Sequence, residues 1–107
     1  MSRYPASAYV RVRVDVPEST PRRSPLFTGY RAAVWWGELD GDLRLMHDAV
    51  VLFEDTEAVG RGESAMARVE PVDPNRWGDV GPGAELSLCE GERVVARLHV
   101  VELFPDP

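Results

Sequence analysis

One short stretch of the sequence carries the side chains best suited to binding a charged partner. Arg22, Arg23 and Arg31 place three guanidinium groups around a run that also contains two aromatic residues and a glycine. A guanidinium donates paired, planar hydrogen bonds that fit phosphate or carboxylate oxygens. The stretch is therefore a candidate binding loop. The alternative is that these arginines are merely solvated and that Phe27 and Tyr30 close one end of a barrel.

The residue types that most often perform catalysis or bind metals form no recognisable motif. His47 and His99 are 52 positions apart, and neither has a second ligand at the spacing of a metal site. Cys89 is the single cysteine, so it predicts neither a disulfide nor a thiolate zinc site. Residues 54–57 predict a solvated acidic loop, with a divalent-cation site as the alternative. The glycines of residues 78–83 lack phosphate-loop spacing. We predict no enzymatic activity, metal, nucleotide or other cofactor.

The elements that would position these residues are strands. Valines alternate with charged residues over residues 9–16, which collects the valines on one face of a strand. Three prolines in residues 17–25 exclude a helix and predict an exposed loop, and residues 74–83 predict a polar loop. Residues 49–53 fit a strand better than one side of a short helix. Further strands are predicted at residues 30–36, 43–45, 65–72, 85–89 and 94–101.

These short strands and their short connections predict an all-β domain with antiparallel pairing. Turn residues are placed suitably at Asp40-Gly41, at residues 60–63 and at Glu90-Gly91. Closure into a barrel would remove exposed edges, although periodicity alone leaves a sandwich open. The length of 107 residues predicts one domain over residues 1–107. We expect its core at about residues 8–103 and flexible tails at 1–7 and 104–107.

Charge and hydropathy exclude several classes of protein. The net charge of −6 argues against a wholly basic nucleic-acid-binding surface. The charge is uneven, because residues 1–31 hold six arginines against two acidic residues, whereas residues 32–107 hold six against sixteen. No apolar run is long enough for a transmembrane helix, and no apolar leader follows Met1. We therefore expect a cytoplasmic protein without membrane association.

Several segments resemble, in the same order, the C-terminal (third) domain of the elongation factor Tu family of translation GTPases. Residues 21–31 resemble the family's Gly-Arg-His-Thr-Pro-Phe-Phe-x-Gly-Tyr-Arg loop, which also precedes an aromatic strand. Residues 60–64 resemble its Met-Pro-Gly-Asp-Asn turn, and residues 89–96 resemble its final Arg-Glu-Gly-Gly-Arg-Thr-Val-Gly hairpin. The similarity covers about residues 8–103. It implies a six-stranded antiparallel closed β-barrel.

The resemblance also implies where a partner would bind. In that family the third domain contacts the T-stem of aminoacyl-tRNA, the GTPase domain and the exchange factor, while the GTP site lies in another domain. Arg22 matches the family's loop arginine, and Arg23 stands where the family has histidine. Glu90 and Gly91 match the hairpin pair that touches the T-stem. These four residues are the predicted partner-binding or RNA-binding site.

The departures from the family favour a protein partner over RNA. Ala33 stands where the family has glutamine, and the turn at residues 37–41 brings in Glu38 and Asp40, which would repel phosphates. The acidic stretch around residues 54–57 also resembles an insertion. We therefore expect a stand-alone, non-catalytic binding module that contacts a protein of the translation machinery, with tRNA as the second choice. The alternative is an immunity or decoy protein that imitates the elongation factor to sequester a toxin.

Overall fold

The computed structural model describes residues 9–78 and 80–103. Within these residues the chain forms ten strands and one short 3-10 helix, and no helix is long and apolar enough to cross a membrane. In chain order the strands are β1 Val10–Asp15, β2 Leu26–Phe27, β3 Tyr30–Trp35, β4 Leu39–Asp40, β5 Leu43–Arg44, β6 His47–Phe53, β7 Ala58–Val59, β8 Ser64–Pro71, β9 Glu85–Glu90 and β10 Arg93–Leu103. The tails expected at residues 1–7 and 104–107 lie outside the described residues.

Six strands close into a barrel in the order β1-β10-β9-β3-β6-β8, and β8 pairs back to β1. All six pairings are antiparallel. This confirms the predicted all-β, six-stranded antiparallel barrel and excludes the sandwich that periodicity left open. It also confirms that residues 49–53 form a strand, because they lie within β6.

The barrel wall follows directly from the alternation of apolar and polar side chains. In β1, Val10, Val12 and Val14 are fully buried and Arg13 is exposed, because successive side chains of a strand point to opposite faces. The other strands fill the narrow interior with small and medium aliphatic side chains, as six-stranded closure requires. These include Ala32, Val34, Ala49, Val51, Ala67, Val69, Leu86, Leu88, Ala96 and Leu98.

Two small ribbons are attached to the barrel. β2 pairs with β7 across one end, where Leu26 and Val59 are buried. β4 and β5 form a hairpin whose turn contains Gly41 at a φ of +64°, which confirms the predicted Asp40-Gly41 turn. The sequence did not predict β2 and β7, because a two-residue strand is too short to show periodicity.

Residues 74–83 hold an element that the sequence did not indicate. A 3-10 helix spans Pro74–Trp77, and proline suits its first turn because its φ is already fixed near the helical value. Trp77 is only 1% exposed, and Val80 is buried beside it in the same cluster. The prediction of a polar loop was therefore wrong, since this segment adds the largest fully buried side chain to the core.

Candidate functional site

The four predicted site residues lie together at one end of the barrel. The loop of residues 17–25 crosses the end at which β9 turns into β10, and Arg22 there forms an ion pair with Glu90. Gly91 follows Glu90 in the turn, and Arg23 follows Arg22 on the loop. We define the arginine end as Arg22, Arg23, Tyr30, Glu90, Gly91 and Arg93.

Arg22 is held by contacts within the domain. Its Nε donates to the carbonyl of Ser24 at 3.0 Å, and its Nη2 donates to the carbonyl of Pro25 at 3.3 Å. The guanidinium lies 5.0 Å from the centre of the Tyr30 ring, within the range of a cation–π contact. With Nη1 paired to Glu90, the group has its charge compensated and most of its donors in use. Arg22 therefore serves to shape the loop.

Glu90 joins the loop to the barrel wall. Its carboxylate accepts hydrogen bonds from Arg22 and from the hydroxyl of Tyr30, the latter at 2.5 Å. Burial, followed by the neighbouring carboxylate, raises the pKa of Tyr30 to about 12, so this phenol stays protonated and donating. The side chains of Arg22 and Glu90 are only 20% and 24% exposed. The three side chains form one partly buried network.

Thr20 fixes the loop at a second point. β10 contains a β-bulge, because Val94 pairs with Cys89 while Ala96 pairs with Leu88, which leaves Val95 outside the ladder. The buried hydroxyl of Thr20 donates to the Val95 carbonyl at 2.8 Å. The sequence analysis missed Thr20, because no pattern in the sequence indicates the bulge whose Val95 carbonyl accepts this hydrogen bond.

Arg23 and Gly91 differ from the other two predicted residues. Arg23 is exposed and makes no ion pair with any residue that the structure describes. Arg31 at the start of β3 and Arg93 at the start of β10 share both properties and lie at the same end of the barrel. Gly91 has a φ of +61°, and a Cβ added there would meet nothing within 4 Å. The turn therefore needs glycine for its backbone conformation.

The alternative interpretation of this loop is partly correct. Tyr30 is half-buried at the end of the barrel, as that interpretation requires. The residue that closes the end, however, is Leu26, which is 1% exposed, whereas Phe27 is 57% exposed. Leu26 is buried in place of Phe27 because successive side chains of β2 point to opposite faces, so that Leu26 faces Val59 of β7 and Phe27 faces outwards.

The acidic loop of residues 54–57 lies at the same end, beside β6 and β8. Glu54 pairs with Arg11 on the barrel wall at 2.7 Å, and the pairing lowers the pKa of Glu54. The carbonyl of Glu57 accepts the amide of Thr28 at 2.8 Å, which ties the loop to β2. The exposed carboxylates of this loop therefore lie at the same end of the barrel as the exposed Arg23 and Arg93.

The side chains considered as metal ligands or nucleophiles make contacts within the fold. Among the described residues no group of three histidine, cysteine or acidic side chains is arranged to hold a metal ion. His99 contacts Asp15, with Nε2 and Oδ2 2.7 Å apart. Cys89 is buried on the outer face of β9, and burial raises the pKa of its thiol, which disfavours the nucleophilic thiolate.

His47 lies in an aromatic cluster at the opposite end of the barrel. Its ring stacks on Trp36 with centroids 3.9 Å apart, and Trp77 packs edge-on against Trp36 at 4.9 Å. The side chain is buried, and its Nε2 makes no hydrogen bond with a described residue, although an oxygen of the Glu38 carboxylate lies 3.5 Å away. Burial, the largest effect, lowers the pKa of His47.

This lowered pKa predicts a loss of stability on mild acidification. In the unfolded chain His47 binds its proton near pH 6.5, but the folded protein resists protonation, so the free energy of unfolding falls as the pH drops below 6.5. We expect urea unfolding to show this loss between about pH 7.5 and about pH 5.5. The variant His47→Phe keeps a ring against Trp36 and should lose distinctly less stability. An identical pH dependence in both proteins would contradict the prediction.

The structure defines the chain as a small, closed β-barrel domain. No family model matches this chain, and no curated protein shows significant similarity to it. The resemblance to the third domain of the elongation factor Tu family, and the site residues that it implies, therefore stay predictions based on the sequence motifs.

Proposed function

We propose that this barrel is a non-catalytic, cytoplasmic binding module that contacts a protein partner through the arginine end. The observation that carries the proposal is that one arginine at this end is bound within the domain while its neighbours are free to bind another molecule. Arg22 is tied into the network with Tyr30 and Glu90, whereas Arg23 and Arg93 are exposed and unpaired among the described residues. Because the network of Arg22, Tyr30 and Glu90 already orders the loop, less conformational entropy is lost when the exposed guanidinium groups bind a partner.

The chemistry of this end favours a protein over RNA. The charge of Arg22 is compensated by Glu90, and the adjoining Glu92 is exposed, so a phosphate backbone would meet carboxylates beside the arginines. Phe27, at 57% exposure, offers apolar area on the neighbouring ribbon. An arginine–aromatic surface of this kind is typical of protein interfaces. The resemblance to a translation factor domain supports a partner from the translation machinery.

The proposal is tested by affinity capture from a native lysate with quantitative mass spectrometry. The double variant Arg23→Ala/Arg93→Ala should recover at least about tenfold less partner, because exposed arginines are frequent hot spots. Its melting temperature should stay within about 2 °C of the parent, since neither side chain has a partner within the described fold. The control Arg68→Ala/Arg76→Ala removes the same charge from the barrel wall and from the 3-10 helix and should capture the partner normally.

Each other result has a defined meaning. Equal losses in both double variants would contradict a specific arginine end. Capture of tRNA that nuclease treatment abolishes would replace the protein partner by RNA. Capture of a toxin that attacks the elongation factor would favour the decoy function over contact with the translation machinery.

A further inference from the structure

The β4–β5 hairpin creates a cleft on the outer face of the barrel. The guanidinium of Arg44 lies 4.5 Å from the centre of the Trp35 ring, and its Nη1 donates to the carbonyl of Glu92 at 3.2 Å. These contacts fix the hairpin beside the β9–β10 turn. The space between them, about 540 Å³, is lined by Asp42, Leu43, Arg44, Met46 and Glu92. Its volume lies within the range of protein pockets that hold ligands.

The cleft combines apolar walls with a net negative charge. Leu43 is 73% exposed, and Met46 is partly exposed beside it. Asp42 and Glu92 form no ion pair with any residue in the described part of the chain. Arg44 is the one cation among the lining residues, and its guanidinium is directed to the Trp35 ring and the Glu92 carbonyl. The lining therefore holds two carboxylates against one guanidinium, a net charge of −1, and neither carboxylate is ion-paired with a described residue.

We propose that this cleft binds a basic side chain, arginine or lysine, presented by an extended segment of another protein. The aliphatic stem of such a side chain would pack on Leu43 and Met46, while its charged head would lie between Asp42 and Glu92. The charge is complementary, and binding covers the exposed leucine. The cleft adjoins the arginine end at the β9–β10 turn, but its lining and its ligand are different, so the inference goes beyond the proposed function.

The test is an NMR titration of the isotopically labelled protein with the peptide acetyl-Leu-Arg-Leu-Arg-Leu-amide. We expect saturable shifts of the backbone amides of residues 42–46 and 91–93, reduced at high salt because the carboxylates are exposed. The same peptide with glutamate in place of arginine should produce no saturable shift. The variant Asp42→Asn/Glu92→Gln should bind about tenfold more weakly, since each exposed ion pair contributes modestly.

The acidic loop provides a matched control. Asp55→Asn/Glu57→Gln removes the same charge outside the cleft and should change the affinity by less than about twofold. Equal weakening by both double variants would overturn the proposal, because it would show attraction to net charge alone. Shifts of residues 42–46 that grow with protein concentration before peptide is added would assign the cleft to a second copy and also overturn it. The single variant Arg23→Ala changes the arginine end outside the β9–β10 turn and should bind the peptide normally, which separates this result from the proposed function.

Discussion

The variant Trp77→Ala is expected to be destabilised by about 3–5 kcal/mol, the usual cost of removing a fully buried tryptophan. Trp77 is 1% exposed and is the largest fully buried side chain of the described chain. Its ring packs edge-on against Trp36, which in turn stacks on His47. Deleting the indole would therefore leave a cavity and remove one wall of the aromatic cluster. Urea unfolding followed by circular dichroism measures the change.

A neighbour on the same 3-10 helix provides the control for this prediction. Arg76 forms an exposed ion pair with Asp73 at 3.2 Å, and its side chain is 61% exposed. Arg76→Ala should change the free energy of unfolding by less than about 0.5 kcal/mol, because exposed pairs contribute little. If Trp77→Ala costs no more than Arg76→Ala, the buried indole does not stabilise the barrel core.

Trp77 also shows why part of the fold could not be predicted. Alternation over residues 9–16 predicted β1 because a strand buries every second side chain, and alternation over residues 85–89 predicted β9. β3 and β6 were predicted instead from their apolar, aromatic and β-branched residues. The segment around Trp77 is polar and contains proline, so no periodic pattern of apolar residues indicates whether this side chain is buried. Its burial depends on Trp36 and His47, which are distant in the sequence.

The candidate site could also be predicted only in part. The sequence indicated Arg22, Arg23, Glu90 and Gly91, and the structure places them at one end of the barrel. It did not indicate that Arg22 and Glu90 would pair with each other, because their contact spans 68 positions and depends on barrel closure. Residue type predicts which groups can bind. The tertiary structure decides which of them are already occupied.

Because Glu90 pairs with Arg22, the second large effect on stability is expected for Glu90→Ala. Glu90→Ala would leave a partly buried guanidinium without its carboxylate and the Tyr30 hydroxyl without its acceptor. We expect destabilisation by about 2–4 kcal/mol, since breaking a partly buried ion pair strands the remaining charge. The pKa of Tyr30 should also fall from about 12, because the carboxylate helps to raise it. Spectroscopic titration of the tyrosines would detect that fall.

Two comparisons distinguish this network from a general effect of charge in the turn. Glu92→Ala removes an exposed carboxylate two residues away and should change stability by less than about 0.5 kcal/mol. In a double-mutant cycle, Arg22→Ala and Glu90→Ala should be strongly non-additive, because either change alone already breaks the pair. Additive effects would mean that Arg22 and Glu90 do not stabilise the fold as a pair. In that case the charge of Arg22 would not be committed to Glu90, and the capture experiment should then include Arg22→Ala beside Arg23→Ala.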